Sequence, residues 1–143
     1  RIAAEKRLEE QRIAAEKLAE ENRIAAEKQR LADSKPTVKE EFHSNGKLRS
    51  RTMYQSKNDG GKKHGLYESY HENGQLVGKG NYKDGKQNGL AESYLKNGLL
   101  LFKVNYKDGK WDGLFEEYHE NGKLRYKSCW KNGEKTDMSY CEK

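Results

Sequence analysis

Tyr82-Lys-Asp-Gly-Lys-Gln-Asn-Gly-Leu-Ala-Glu-Ser-Tyr-Leu-Lys-Asn-Gly98 is the stretch that decides the fold. It holds two turn signals, Asp84-Gly85 and Asn97-Gly98, around a short strand-like run. Asp-Gly and Asn-Gly favour backbone with positive φ, which tight hairpin turns require. The pattern returns at Tyr106-Lys-Asp-Gly-Lys-Trp-Asp-Gly113, followed by Leu114 to Gly122. Tyr70, Tyr94 and Tyr118 are spaced 24 apart, as are Gly65, Gly89 and Gly113. A fixed period of roughly 20 to 50 residues marks a repeat architecture.

Composition agrees. The 143 residues are 32% hydrophobic and 36% charged, with 14 Gly, and mean hydropathy is −1.29. A compact globule has about 45 to 50% apolar residues with Gly counted, and adding its 14 Gly brings this chain only to about that lower edge, so a thick core is not expected. A thin structure in which each unit touches only its neighbours fits better. Low hydrophobicity and high charge also mark disorder, but the 9 Tyr, 2 Trp and fixed period argue against it. No run of about 18 apolar residues is present, so no membrane-spanning helix is expected. The chain opens at Arg1 without Met and shows no signal peptide. With the disulfide reading below, this leads us to expect a periplasmic, secreted or membrane-anchored protein whose targeting segment precedes Arg1.

Residues 1–33 carry a different repeat. Arg1-Ile-Ala-Ala-Glu-Lys6 recurs at Arg12 to Lys17 and Arg23 to Lys28, a period of 11. Strong helix formers fill the segment and no Gly or Pro interrupts it. Lys6–Glu10, Arg12–Glu16, Lys17–Glu21 and Arg23–Glu27 are opposite charges four apart, each contributing a few tenths of a kcal/mol. The helix should end near Asp33-Ser-Lys-Pro36, because Pro36 disfavours helix in the preceding residue. Eleven residues over three turns match a right-handed supercoil, yet the seam is weak: Ile2, Ile13 and Ile24 align, but Leu8 and Ala19 lie off that line, whereas a coiled coil wants a narrow, strong seam. An oligomerising coil, a helix docked on a partner and a solitary spacer all stay open. Charge is balanced here, so the +6 excess lies in residues 34–143.

After a linker at 34–37, four units fill residues 38–143. Val38-Lys-Glu-Glu-Phe42-His-Ser-Asn-Gly46 matches Leu66 to Gly74 and Leu114 to Gly122. Each unit reads as a first strand, an Asn-Gly turn, a second strand and a Gly-rich loop. Short loops make consecutive strands antiparallel neighbours. The expected turn glycines are Gly46, Gly65, Gly74, Gly85, Gly89, Gly98, Gly109, Gly113, Gly122 and Gly133. The first spacing is 28 rather than 24, so the loop Gln55–Lys63 should bulge. Period-two alternation assigns faces. It groups Leu48/Tyr54, Leu76/Tyr82, Leu100/Tyr106 and Leu124/Trp130 with Val38/Phe42, Leu66/Tyr70, Leu90/Tyr94 and Leu114/Tyr118. Phe102, Val104 and Tyr126 join this single apolar face. The fold class expected is mainly β: an elongated antiparallel meander of hairpins after a long N-terminal helix.

Tyr-Lys-Asp-Gly-Lys-x-x-Gly-Leu, at Tyr82 to Leu90 and Tyr106 to Leu114, resembles the MORN repeat, in particular its bacterial variant. The resemblance covers Val38 to Lys143 in four copies. It implies a twisted antiparallel meander and a role in scaffolding and in protein or membrane contact, usually without catalysis. Some bacterial members are labelled antitoxins. No binding residue carries over, because the matching positions are turn glycines and packing aromatics. The last unit departs, with Asp137 where the others have Gly65, Gly89 and Gly113.

Chemistry is sparse. Glu40, Glu68, Glu92 and Glu116 occupy one repeat position. Equivalent residues lie two strands apart, roughly 9.5 Å, too far to share a small ion. Bonds to turn amides or tyrosine hydroxyls, or exposure to water, are the simpler roles. His43, His71 and His119 precede Asn-Gly turns and show no metal-ligand spacing. No nucleophile–base pair or phosphate loop is present, so no enzyme, metal or cofactor is expected. Cys129 and Cys141 fall in repeat register with Asn81 and Ser93, on adjoining strands, and point to the face away from the leucines. A disulfide there would staple the C-terminal end; two free thiols are the alternative.

The second face carries the binding hypothesis. Arg51, Lys79, Lys103 and Lys127 occupy one repeat position, with Arg49, Arg125, Tyr67, Phe115, Val77 and Leu101 as companions and Glu41 and Glu117 as cross-strand partners. Such a stripe suits an acidic protein surface or anionic membrane; nucleic acid is disfavoured because acidic residues interrupt the field. The expected function is a non-catalytic scaffold within a larger bacterial assembly, the helix oligomerising or docking and the sheet binding a protein partner. An antitoxin- or immunity-like role is the alternative, and peripheral membrane binding a weaker one.

Overall fold

The computed structural model describes residues 1–142. They divide into two units, residues 1–35 and the chain from Pro36 onward.

The first unit is one α-helix, α1, Ile2–Asp33. Ser34 closes it: its N–H bonds the Arg30 carbonyl at 3.1 Å, and its Oγ donates to the Leu31 carbonyl at 2.7 Å. Ile2, Leu8, Ile13, Leu18, Ile24 and Leu31 are all exposed. The ion pairs differ in part from the sequence expectation. Arg12 does reach Glu16, and it also reaches Glu9. Arg23 bonds Glu20 rather than Glu27, and Glu27 instead holds Arg30. The guanidinium fork finds the nearer turn as readily as the farther one, because i,i+3 and i,i+4 are both neighbours on a helix.

The second unit is a single antiparallel sheet. Its strands are β1 (Thr37–Phe42), β2 (Leu48–Tyr54), β3 (Lys63–Tyr70), β4 (Leu76–Lys83), β5 (Lys86–Gln87), β6 (Gly89–Tyr94), β7 (Leu100–Lys107), β8 (Lys110–Tyr118), β9 (Leu124–Lys131) and β10 (Glu134–Thr136). They pair in chain order, with β5 paired onto β4 beside the main path. This is the meander that the repeats predict. No second layer covers it within the unit, and among the described residues only Val104 and Cys129 are buried hydrophobic side chains.

Two kinds of turn alternate. In the Asn-Gly turns that end at Gly46, Gly74, Gly98 and Gly122 only the glycine has positive φ, as at Gly46 (84°). Asn45 Oδ1 accepts from the Lys47 N–H at 2.9 Å, and Asn45 Nδ2 donates to the Glu72 carbonyl in the next hairpin at 2.9 Å. Asn73 repeats both bonds, so these side chains stitch successive turns together. The Asp-Gly turns are of type I′: Asp84 (φ 50°) and Gly85 (φ 86°) are both left-handed, as are Asp108-Gly109 and Asn132-Gly133. Short polar side chains tolerate that conformation, which matches the twist of the flanking strands. The long loop after β2 holds a 3₁₀ turn, Lys57–Asp59, capped by Ser56, which absorbs the four extra residues.

The C-terminal end corrects the register expectation. After β10 the chain leaves the sheet in a 3₁₀ turn, Met138–Tyr140, with Asp137 at its N-cap (φ −65°). Gly113 occupies the matching position at φ 111°. An aspartate disfavours that conformation, so the repeat path ends there. Cys141 therefore lies at the end of a 3₁₀ turn and not on a strand. Cys129 pairs with Leu114 and so lies on a leucine-bearing face, contrary to expectation. The structure joins the two cysteines in a disulfide, Cα to Cα 5.9 Å. Asp112 ties down the same end, accepting from the Asn132 N–H at 3.1 Å and the Tyr140 hydroxyl at 2.9 Å. Those two donors hold its carboxyl below the usual range.

Candidate interaction surfaces

Every Asn-Gly hairpin carries one extra residue in its second strand. Glu41 faces Ser50 but Phe42 faces Leu48, leaving Arg49 over. The same shift leaves over Val77, Leu101 and Arg125. Such a β-bulge flips the alternation of everything beyond it. The single apolar face expected from counting is therefore divided. Leu76 does lie opposite Tyr70, but Tyr82 lies opposite Gly65 and Leu66 opposite Asn81. Leu66, Leu90 and Leu114 fall on one face, and Tyr82, Phe102, Val104, Tyr106, Tyr126 and Trp130 on the other.

The first face is a charge ladder. Across consecutive strands the register runs Glu40, Arg51, Glu68, Lys79, Glu92, Lys103, Glu116, Lys127, each directly opposite the next. Acid and base alternate without a break. The row of Arg51, Lys79, Lys103 and Lys127 is thus not a uniformly basic stripe. Its partners are these four glutamates rather than Glu117, which faces Phe102 and Tyr126. Arg51 Nε lies 3.4 Å from Glu40, and Arg49 is 3.6 Å from Glu41. Opposite charges across strands contribute roughly 0.2 to 1 kcal/mol per pair. Arg125 joins Leu95, Leu101, Tyr118 and His119 around an open recess of about 610 Å³.

The glutamates also take local bonds. The hydroxyls of Tyr70, Tyr94 and Tyr118 donate to Glu68, Glu92 and Glu116, each two residues earlier on the same strand. Burial and the Glu92 carboxylate push Tyr94 up to about 12. The bond to Glu116, then burial, does the same to Tyr118. Among the described residues no cluster of His, Cys, Asp and Glu is arranged to hold a metal. His43 and His71 direct Nε2 to the carbonyls of Tyr70 and Tyr94, at 2.7 and 3.4 Å, and so serve turn packing.

Tyr67 and Phe115 lie on the opposite face from the ladder, contrary to the sequence expectation, because each precedes a ladder glutamate. There they belong to an aromatic surface. Trp111 stacks on Phe115 at 5.0 Å and meets Trp130 edge-on at 4.9 Å. Phe102 and Tyr126 flank Phe115 at 5.8 and 6.3 Å. Val104 forms the floor. Nearer the N-terminus the same rows hold small residues: Gly78, Gly80, Ala91 and Ser93. A Cβ on Gly78 would come within 2.9 Å of the Glu92 carbonyl oxygen, so this glycine permits the close approach of β4 and β6. Counting assigned Trp111 to a loop. That it extends β8 and anchors this cluster was not read from the sequence, although Trp in place of Gln87 was a visible signal.

The family comparison falls on this geometry. Residues 38–56, 63–84 and 111–132 match the MORN repeat variant. The chain is a MORN-repeat protein, and that class fits a non-catalytic interaction module. The unmatched unit between carries the same marks, Gly89, Glu92, Tyr94, Lys103 and Asp108-Gly109. No curated protein matches the chain. Among solved structures it is similar to a chain in the crystal structure of accessory secretory protein 1,2 and 3 in Streptococcus pneumoniae, at 12% identity and TM-score 0.38. The similarity covers 67% of this chain but 17% of that one.

Proposed function

We propose that the chain is a scaffold component in which α1 joins copies or docks on a partner helix, and the aromatic face of the sheet receives a protein partner. The observation that supports this is the aromatic group Phe102, Trp111, Phe115, Tyr126 and Trp130. Mutual contacts fix these rings in place, yet all five stay partly accessible or exposed in a unit that is a single sheet. Rigid aromatic anchors lose little conformational freedom on binding and dominate many protein interfaces. The ladder face, with acid and base alternating, offers less to a uniformly acidic surface or an anionic membrane than an unbroken basic stripe would.

Two measurements test the two halves. Deleting residues 1–33 should lower the mass in native mass spectrometry, and an unchanged mass removes the oligomerising role of α1. A photo-crosslinking residue at Tyr126 should capture partner protein from the source extract, while one at Lys79 on the ladder face should not. Equal capture at both, or at Lys79 alone, sinks the aromatic-face reading.

A further inference from the structure

The sheet has two edges, and they are not alike. The C-terminal edge ends in the three-residue β10, the 3₁₀ turn and the disulfide. The N-terminal edge is β1, six residues paired, among the described residues, only to β2. Alternate residues of an edge strand direct N–H and C=O groups outward, ready to pair with another chain.

The charge ladder stops on this edge. At its far end the row finishes on a base, Lys127, beside the capped strand; at the open end it finishes on an acid, Glu40. Each of Glu68, Glu92 and Glu116 has a base on both sides. Among the described residues Glu40 has only Arg51. It also lacks the bond from a tyrosine hydroxyl that the other three receive, because Phe42 stands where they have Tyr70, Tyr94 and Tyr118. Val38 and Phe42, two residues to either side on the same face, are 52% and 56% exposed. They form an apolar seat for the methylene stem of a long basic side chain. On the other face, Lys39 and Glu41 pair with each other at 3.3 Å and discourage purely apolar strands.

We propose that β1 takes up an extended segment of a partner protein as an added antiparallel strand, with a lysine or arginine set opposite Glu40. Strand addition draws affinity from main-chain bonds and specificity from alternate side chains. A second copy of this chain is a poorer occupant. Two-fold pairing of β1 with itself keeps each residue's face, so the register centred on Glu40 puts glutamate against glutamate, and the neighbouring ones put Lys39 against Lys39 or Glu41 against Glu41. The proposal rests on the interaction reading above but uses a different surface, so the Tyr126 crosslink succeeds or fails independently of it.

The probe is a fluorescent peptide of residues 75–83, the segment that sets Lys79 opposite Glu92 within the sheet. Titrated with the full chain, it should bind saturably in anisotropy. Glu40→Lys, checked for unchanged circular dichroism, should weaken binding about fivefold. A peptide carrying Lys79→Glu should bind the native chain as weakly and recover on the Glu40→Lys chain. Methylating alternate amides of the peptide should abolish binding. No saturable binding, or equal binding in all four charge combinations, overturns the proposal. So does sedimentation in which Glu40→Lys halves the mass of the free chain, since that assigns the edge to a second copy.

Discussion

The two ends of the sheet solve the same problem with different means. A repeat array has no neighbour at its termini, so each end must be closed or left available. Toward the C-terminus, Cys129 and Ser128 are 0% and 2% exposed, aromatic rings stack over β8 and β9, and a disulfide and Asp112 fasten the last turn. Toward the N-terminus, β1 buries nothing fully, and β4 and β6 present Gly78 and Ala91 where the later strands present Phe102 and Phe115. The same motif thus gives a fastened end and an open end. The difference comes from a few substitutions within the repeat: Trp111 for Gln87, Phe102 for Gly78, Asp137 for Gly113.

The comparison can be broken most severely at the disulfide. Closing a loop of about 13 residues contributes on the order of 3 kcal/mol. Reduction, or Cys141→Ser, should lower the denaturation midpoint by that much and raise amide exchange in β9 and β10, leaving β1 and β2 unchanged. Uniform loosening would show that the ends are not independent. Next comes Trp111→Ala, which removes the ring bridging Phe115 and Trp130. Partial exposure keeps the expected cost to about 2 kcal/mol in chemical denaturation. Gln87→Ala, its repeat equivalent, should be near neutral, and equal losses would refute the contrast.

Two smaller effects sharpen the picture. Gly78→Ala should cost about 1 kcal/mol, because its Cβ would force β4 and β6 apart. Gly80→Ala meets only the Ala91 side chain at 3.5 Å and should be tolerated. Equal thermal shifts in the two variants would deny the close approach. Finally, Tyr94 and Tyr118 are raised to about 12. The folded state holds their protons more tightly than the unfolded chain, whose tyrosines titrate near 10. Their contribution is complete below about pH 10 and is lost as pH rises toward 12. Ultraviolet titration should show a late-ionising class that moves to lower pH in Glu92→Gln/Glu116→Gln, Tyr118 more than Tyr94, because burial is the larger cause at Tyr94. Ionisation of every tyrosine near pH 10 would remove the Glu–Tyr ladder.

Much of this was legible from residue spacing. The period of 24 gave the hairpins, Asp84-Gly85 and Asn97-Gly98 gave the turns, and Pro36 gave the end of α1. The faces were not legible, because alternation by count assumes that no residue is extra. Arg49, Val77, Leu101 and Arg125 are extra, and each reverses the parity after it. Hence Tyr67 and Phe115 moved away from the lysines, and Glu40, Glu68, Glu92 and Glu116 moved between them. The departure at Asp137 was visible, but the 3₁₀ turn that places Cys141 against Cys129 was not.

The sequence by itself determined the local order of this protein: which segments turn, which extend, and where helix yields to sheet. Those choices rest on φ preferences and side-chain periodicity, which act over a few residues. Only the tertiary structure decided which side chains share a face, because a face is a property of pairing between strands. One bulge per hairpin, set by the fit of each Asn-Gly turn to its strands, converts a basic stripe into a ladder of alternating charge and leaves its last glutamate at an open edge.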